Sequence, residues 1–245
     1  MVTSRAYGSG DPRTVVVPGL GATAGEARIP ASGLPGTRVV LTLPSHADEP
    51  DAPPDYWTYP AIAADLAPAL AGARQAIGVS LGAGALCTLL ANAPDTLDRV
   101  VLILPAAISR PRPAESAKRV LEMATAAETG DRALLRALVA QDTPSGLDTY
   151  VDERTSALMR LGSALRAVAE QVPVPDLAAL AEVSADVLVV AATGDRLHPP
   201  EPAEEAAAAF PRAKLVRFDS PAPLVTHRRE VRALLAEFLA LPSKP

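Results

Sequence analysis

The sequence predicts a doubly wound α/β fold with a mostly parallel sheet, and three observations predict it. Short, near-continuous apolar runs recur along the chain, helix-length segments separate them, and a Gly-x-Ser-x-Gly turn joins one such run directly to one such segment. Strands buried on both faces of a parallel sheet read as unbroken Val/Ile/Leu/Ala, whereas a half-solvated sheet alternates. Alternating strands and helices imply right-handed crossovers and helices on both faces.

The predicted strands, in order, are Val15–Val17, Val39–Leu43, Ala76–Val79, Val100–Leu104, Val187–Ala192 and a weaker, final Leu215–Phe218. Between them Ala61–Leu70, Leu81–Ala91 and Glu201–Ala209 have helical length. The last helix is clearest, because Val231, Leu234, Leu235, Phe238 and Leu239 fall on one face. Residues 105–186 break the rhythm with Ala114–Ala127, Asp131–Ala140, Tyr150–Val172 and Asp176–Glu182, helical segments punctuated by Pro and Gly. A helical insertion at the carboxyl edge of a parallel sheet overlies the ligand crevice, so residues 106–185 are read as a lid on a core of 1–105 and 186–245. A peripheral helical layer is the alternative.

Composition excludes several classes. The chain of 245 residues is 49% apolar and 21% charged, enough for a packed core. Its 15 Gly and 25 Pro stay below the roughly 25–30% that marks low complexity. A formal charge of −5 gives no footprint for nucleic acid. One cysteine, Cys87, excludes an internal disulfide and a Cys-based zinc site. No signal peptide is visible, and the uncharged stretch Ala76–Pro94 contains three glycines and fits a strand, turn and buried helix better than a membrane span. A cytoplasmic protein with a small-molecule substrate and no membrane or nucleic-acid partner is expected. No dinucleotide fingerprint, phosphate loop or His/Cys metal spacing occurs, so neither cofactor nor metal is expected.

The chemistry centres on Gly78-Val79-Ser80-Leu81-Gly82. Between a strand and a helix this is the setting of a nucleophile elbow, where the serine stands on a strained turn at a helix amino end. The bend Pro18-Gly19-Leu20-Gly21, after the first buried strand, supplies backbone N–H groups. Acyl transfer needs two such donors aimed at the oxyanion, and Leu20 and Leu81 are the candidates, with Gly19 beside them.

On these residues the chain resembles the α/β-hydrolase superfamily over nearly its whole length. The Pro-Gly-Leu-Gly bend is similar to the family's oxyanion loop, where His-Gly is more usual. Leu41-Thr42-Leu43-Pro44-Ser45-His46 is similar to its strand and following Gly-His-Gly loop, and Ala61–Leu70 with Asp65 also fits. The insertion would follow the equivalent of the family's sixth strand. The resemblance implies a Ser…Asp…His order, the acid after a late strand and the histidine before the last helix; Ser80, Asp195 and His227 occur so.

Two counts depart from the family. Its acid usually lies three residues after the glycine ending the late strand, which is Leu197 here; the chain offers Asp195 directly after Gly194. Its histidine usually stands about 17 residues before the Phe of the last helix, which is Pro221 here, whereas His227 stands nearer to Phe238. His227 is the expected base, with His198 as the second candidate, His46 as a loop residue tied to backbone, and a chain without a competent base as the residual case. The expected activity is cofactor-free cleavage of an ester, thioester or lactone of a small apolar substrate. A lyase, isomerase or cyclase of the same fold, or a non-catalytic ligand binder, is the alternative.

Weaker features complete the reading. Tyr56, Trp57 and Tyr59 edge a pocket mouth or anchor a Pro-rich loop. Met123 and Met159 face an apolar ligand or the core. Arg110, Arg112, Lys118 and Arg119 read as a solvated helix face.

Overall fold

The computed structural model describes residues 1–240. In chain order the elements are β1 (Thr3–Tyr7), β2 (Arg13–Val17), α1 (Ala24–Arg28), β3 (Thr37–Thr42), α2 (Tyr59–Leu70), β4 (Gln75–Val79), α3 (Leu81–Asn92) and β5 (Arg99–Ile103). There follow α4 (Ala114–Glu128), α5 (Arg132–Gln141), α6 (Asp148–Met159), α7 (Gly162–Ala169) and α8 (Ala178–Ala181). The chain closes with β6 (Asp186–Ala192), α9 (Glu201–Ala209), β7 (Ala213–Phe218), α10 (Pro223–Thr226) and α11 (Arg228–Ala240). The expected core stretch 186–245 ends in residues 241–245, which lie outside the described residues.

The strands form one seven-stranded sheet in the order β1-β3-β2-β4-β5-β6-β7. All neighbours are parallel except β1, which runs antiparallel to β3. The unbroken apolar runs are explained by burial on both faces. Val15, Val17, Ala76, Val100, Leu102, Val187 and Val189 join the core under α2, α3 and the inserted helices. Val16, Ile77, Val101, Ile103, Leu188 and Val190 join the core under α1 and α11. Within α11, Val231, Leu235 and Leu239 are buried, while Leu234 and Phe238 are only partly covered. The uncharged stretch 76–94 divides into β4 and α3, and among the described residues no helix is long and apolar enough to cross a membrane.

Six elements differ from expectation. β1 is an edge strand whose side chains are mostly exposed, held by backbone pairing to β3, so it carries no apolar signature. The short helices α1 and α10 were not foreseen. The single helix expected over Tyr150–Val172 is two: α6 closes at Arg160, and Gly162 opens α7 against α4. A Cβ at Gly162 would stand 2.7 Å from Glu128 Cγ and 3.3 Å from the Ala124 carbonyl, so close helix packing and low helix propensity coincide at the break. The segment Asp176–Glu182 shortens to α8.

All five helices α4 to α8 lie between β5 and β6. Their apolar faces extend the core on one side of the sheet, above the carboxyl ends of β2, β4, β5 and β6, where the loops carrying Leu20, Ser80 and Asp195 meet.

Candidate active site

Ser80 joins β4 to α3 in a backbone conformation, φ 51° and ψ −109°, that non-glycine residues avoid. The surroundings hold it there: its amide donates to the Ile103 carbonyl at 2.9 Å and its carbonyl accepts from the Gly84 amide at 3.1 Å. The flanking glycines are required by contact. A Cβ at Gly78 would meet the Gly82 carbonyl oxygen at 2.6 Å, and one at Gly82 would meet the Val17 carbonyl oxygen at 2.3 Å.

The Ser80 Oγ lies 2.8 Å from His198 Nε2, and His198 Nδ1 lies 2.9 Å from Asp195 Oδ2. An ionised carboxylate only accepts hydrogen bonds, so Nδ1 carries the ring proton and Nε2 is left to accept from the serine. Both partners come from one loop after β6. Gly194 turns the chain with φ 80°, and the second Asp195 oxygen, Oδ1, accepts from the amides of Leu197 at 2.8 Å and His198 at 3.1 Å. This self-bonded turn fixes an Asp and a His three residues apart in one geometry. Burial alone would raise the Asp195 carboxyl, but His198 and the two loop amides outweigh it and hold the group below its ordinary range.

The histidine expectation is corrected here. His227 caps α10, shares a hydrogen bond at 2.9 Å with Thr226 Oγ1, and packs its ring 5.5 Å from that of Phe218. Its neighbours Pro221 to Val225 and Arg228 line the cavity around Ser80; His227 does not. The proline-bounded turn brings α10 to the cavity but turns residue 227 back onto β7. Pro221, where the family count points, is an apolar wall. The expected convergence of Ser80 and His227 does not occur.

The bend after β2 packs on the serine: a Cβ at Gly19 would stand 3.4 Å from the Ser80 Cβ. Leu20 and Leu81 both border the cavity, and their amides make no hydrogen bond among the described residues. The bend is braced from two sides. His46 Nε2 accepts from the Gly21 amide at 2.8 Å while its Nδ1–H donates to the Pro44 carbonyl at 2.9 Å. From α6, Arg154 donates to the Gly21 carbonyl at 3.2 Å and pairs with Glu26 at 3.3 Å.

His46 therefore stands neutral as a positioning residue. Burial, with a smaller push from Arg154 and Arg160, outweighs the Pro44 bond and lowers its pKa below the ordinary 6.5. The unfolded chain then takes up the proton first, so His46's stabilisation is complete above about 6.5 and is lost as the pH falls through the lower folded value. Between about pH 7.5 and about pH 5.5 the denaturation midpoint of the native protein should fall further than that of His46→Gln. Equal falls would remove His46 from the account.

The site opens into a cavity of about 380 Å³. The inserted helices supply apolar wall through Val120, Met123, Val139, Leu158 and Val168. Of the weaker candidates, Tyr59 and Met123 reach the cavity, while Met159 packs beside the core. Tyr56 donates to Asp65, and Trp57 packs edge-on against Tyr56, so these two anchor the loop. The basic cluster is also corrected: Arg112 and Arg119 are each only 9% exposed, Arg119 paired with Asp142 and Arg112 bordering the cavity. Among the described residues no group of three His, Cys, Asp or Glu side chains could hold a metal ion.

A mostly parallel sheet with a strained serine between β4 and α3 defines the class of α/β hydrolases. The family model described as "Alpha/beta hydrolase family" matches residues 14–234, and the chain belongs to that family, an enzyme of the hydrolase type. No curated protein matches the sequence. Among solved structures it is similar to an esterase from Exiguobacterium antarcticum, with a TM-score of 0.80 and 16% identity over 98% of this chain and 96% of that one. The enol-lactonase from Burkholderia xenovorans gives 0.77 and 19% over 98% and 96%. A thermophilic esterase from Thermogutta terrifontis gives 0.73 and 18% over 97% and 92%. At these identities the likeness is one of fold.

Proposed function

We propose that the protein is a serine hydrolase cleaving an ester, thioester or lactone of a small, largely apolar substrate. The observation that carries this reading is the relay Ser80–His198–Asp195, with both bonds under 3 Å. Ser80 Oγ attacks the carbonyl as His198 Nε2 takes its proton, and Asp195 orients and stabilises the resulting imidazolium. The free amides of Leu20 and Leu81 hold the oxyanion, each worth about 10²–10³ in rate. His198 then protonates the leaving group, and water, activated by the same ring, releases the acyl group. Residues 106–185 act as the lid of a core made of 1–105 and 186–240, shaping the cavity and excluding water. The lyase, isomerase, cyclase and binding-protein alternatives rested on a histidine remote from Ser80, and His198 at 2.8 Å leaves them without that support.

A fluorophosphonate tests the reading. Intact mass should show one adduct, on Ser80, absent in Ser80→Ala, and the unlabelled protein should hydrolyse p-nitrophenyl esters. Folded protein that neither labels nor turns over would overturn it.

A further inference from the structure

The cavity contains a charge that the hydrolytic relay does not use. Arg112 is only 9% exposed and borders the cavity. Its Nη1 donates to Ser116 Oγ at 3.1 Å and weakly to the Leu197 carbonyl at 3.5 Å, while its Nε is buried with no partner. No carboxylate lies within ion-pair distance among the described residues. The other sunken guanidinium on the cavity wall, Arg154, pairs with Glu26, and the cavity carboxylate Asp142 pairs with Arg119 at 2.9 Å. Asp195 does feel the Arg112 charge, but its oxygens are committed to His198 and the loop amides. A buried cation without a hydrogen-bonding anion is costly, and an anionic ligand would offset that cost.

A second polar group stands beside it. Tyr59 lines the same cavity, and its hydroxyl makes no hydrogen bond among the described residues. Its hydroxyl oxygen lies 2.9 Å from where a Gly84 Cβ would be, one turn of α3 beyond Ser80. Arg112 reaches the carbonyl of Leu197, the residue before His198. A guanidinium and a phenol, neither of them bonded to a carboxylate, thus line the chamber that holds the nucleophile, whose other buried charges, Arg154 with Glu26 and Asp142 with Arg119, are paired. Guanidinium and hydroxyl donors together match the two oxygens of a carboxylate.

We infer that Arg112, with Tyr59, receives a carboxylate on the acyl half of the substrate, so that the enzyme prefers esters whose acyl chain ends in a carboxylate. The acyl half stays on Ser80 after the alcohol has left, and contacts in the enclosed part of the cavity act on it through both steps. This inference rests on the proposed serine hydrolase and adds the substrate class.

The test compares mono-p-nitrophenyl esters of succinate, glutarate and adipate with the butyrate, valerate and hexanoate esters of equal chain length. For at least one length the native enzyme should favour the charged ester about tenfold or more in kcat/KM, as a site built to pair a polar group rejects the analogue lacking it. In Arg112→Met the ratio should collapse toward one, and Tyr59→Phe should reduce it by less. Free dicarboxylate of that length should also protect Ser80 of the native protein from fluorophosphonate better than the monocarboxylate. This arm needs no variant to fold. A ratio near one at every length, or a ratio unchanged in Arg112→Met because both esters suffer alike, would overturn the inference and leave Arg112 as a brace of the Asp195–His198 loop. Labelling of Ser80 and turnover of the neutral esters would still stand in that case, so failure here is separable from failure of the hydrolase itself.

Discussion

In His198→Ala, ester hydrolysis is expected to fall by about 10⁴-fold or more in kcat, with the residual rate coming from the oxyanion donors and substrate binding alone. In His227→Ala it should change by less than about twofold, as for surface substitutions away from the chemistry. The contrast follows from geometry. His198 touches both Ser80 and Asp195, and without it the serine has no acceptor for its proton and the leaving group no donor. His227 touches Thr226 and Phe218, and neither lines the cavity. Initial rates on a p-nitrophenyl ester, with circular dichroism to confirm folding, separate the two variants. A large loss in His227→Ala alongside a mild one in His198→Ala would return the base to the position where the resemblance looked for it.

The reason the sequence pointed to His227 is physical. The family order places acid and histidine on different loops, which points beyond the turn after β6 to the residue before the last helix. Within Asp195-Arg196-Leu197-His198 the signal was local: a carboxylate able to bond the amides two and three residues on, with a ring at the third. Such a turn presents the side chain of residue 198 back to the carboxylate, so the spacing could have been weighed above the count. Central strands were legible because burial on both faces leaves an unbroken apolar run. β1 was not, since its contribution is backbone pairing at an edge and its side chains are free to be polar. Arg112 and Arg119 were misread for a related reason. Arg112 bonds Ser116 nearby, but the cavity wall that buries it includes Leu197, 85 residues away, and Arg119 pairs with Asp142, 23 residues away; no local pattern reports a contact made by folding.

The Gly-x-Ser-x-Gly turn was legible as a motif, and its last glycine carries the second large effect. Gly82→Ala is expected to cost on the order of 3 kcal/mol of stability, the upper end of overpacking. The new Cβ would stand 2.3 Å from the Val17 carbonyl oxygen and 2.8 Å from that of Pro18. Both obstacles are backbone, so no side-chain rotation relieves them; α3 must withdraw from the end of β2. That withdrawal separates Ser80 from the Gly19–Leu20 bend, and a misplacement of about 1 Å between reacting groups costs about 10²-fold in rate. Gly25→Ala is the matched control. It lies in α1, and the nearest atom to its Cβ would be Thr23 Oγ1 at 3.7 Å, ordinary contact. That control should be neutral or gain a few tenths of a kcal/mol from the better helix former. Urea midpoints measure both substitutions, and kcat on a neutral ester reports the displacement. Equal midpoints for the two would mean that strand and helix do not approach as closely as the elbow requires, and the strained seat of Ser80 would lose its physical basis.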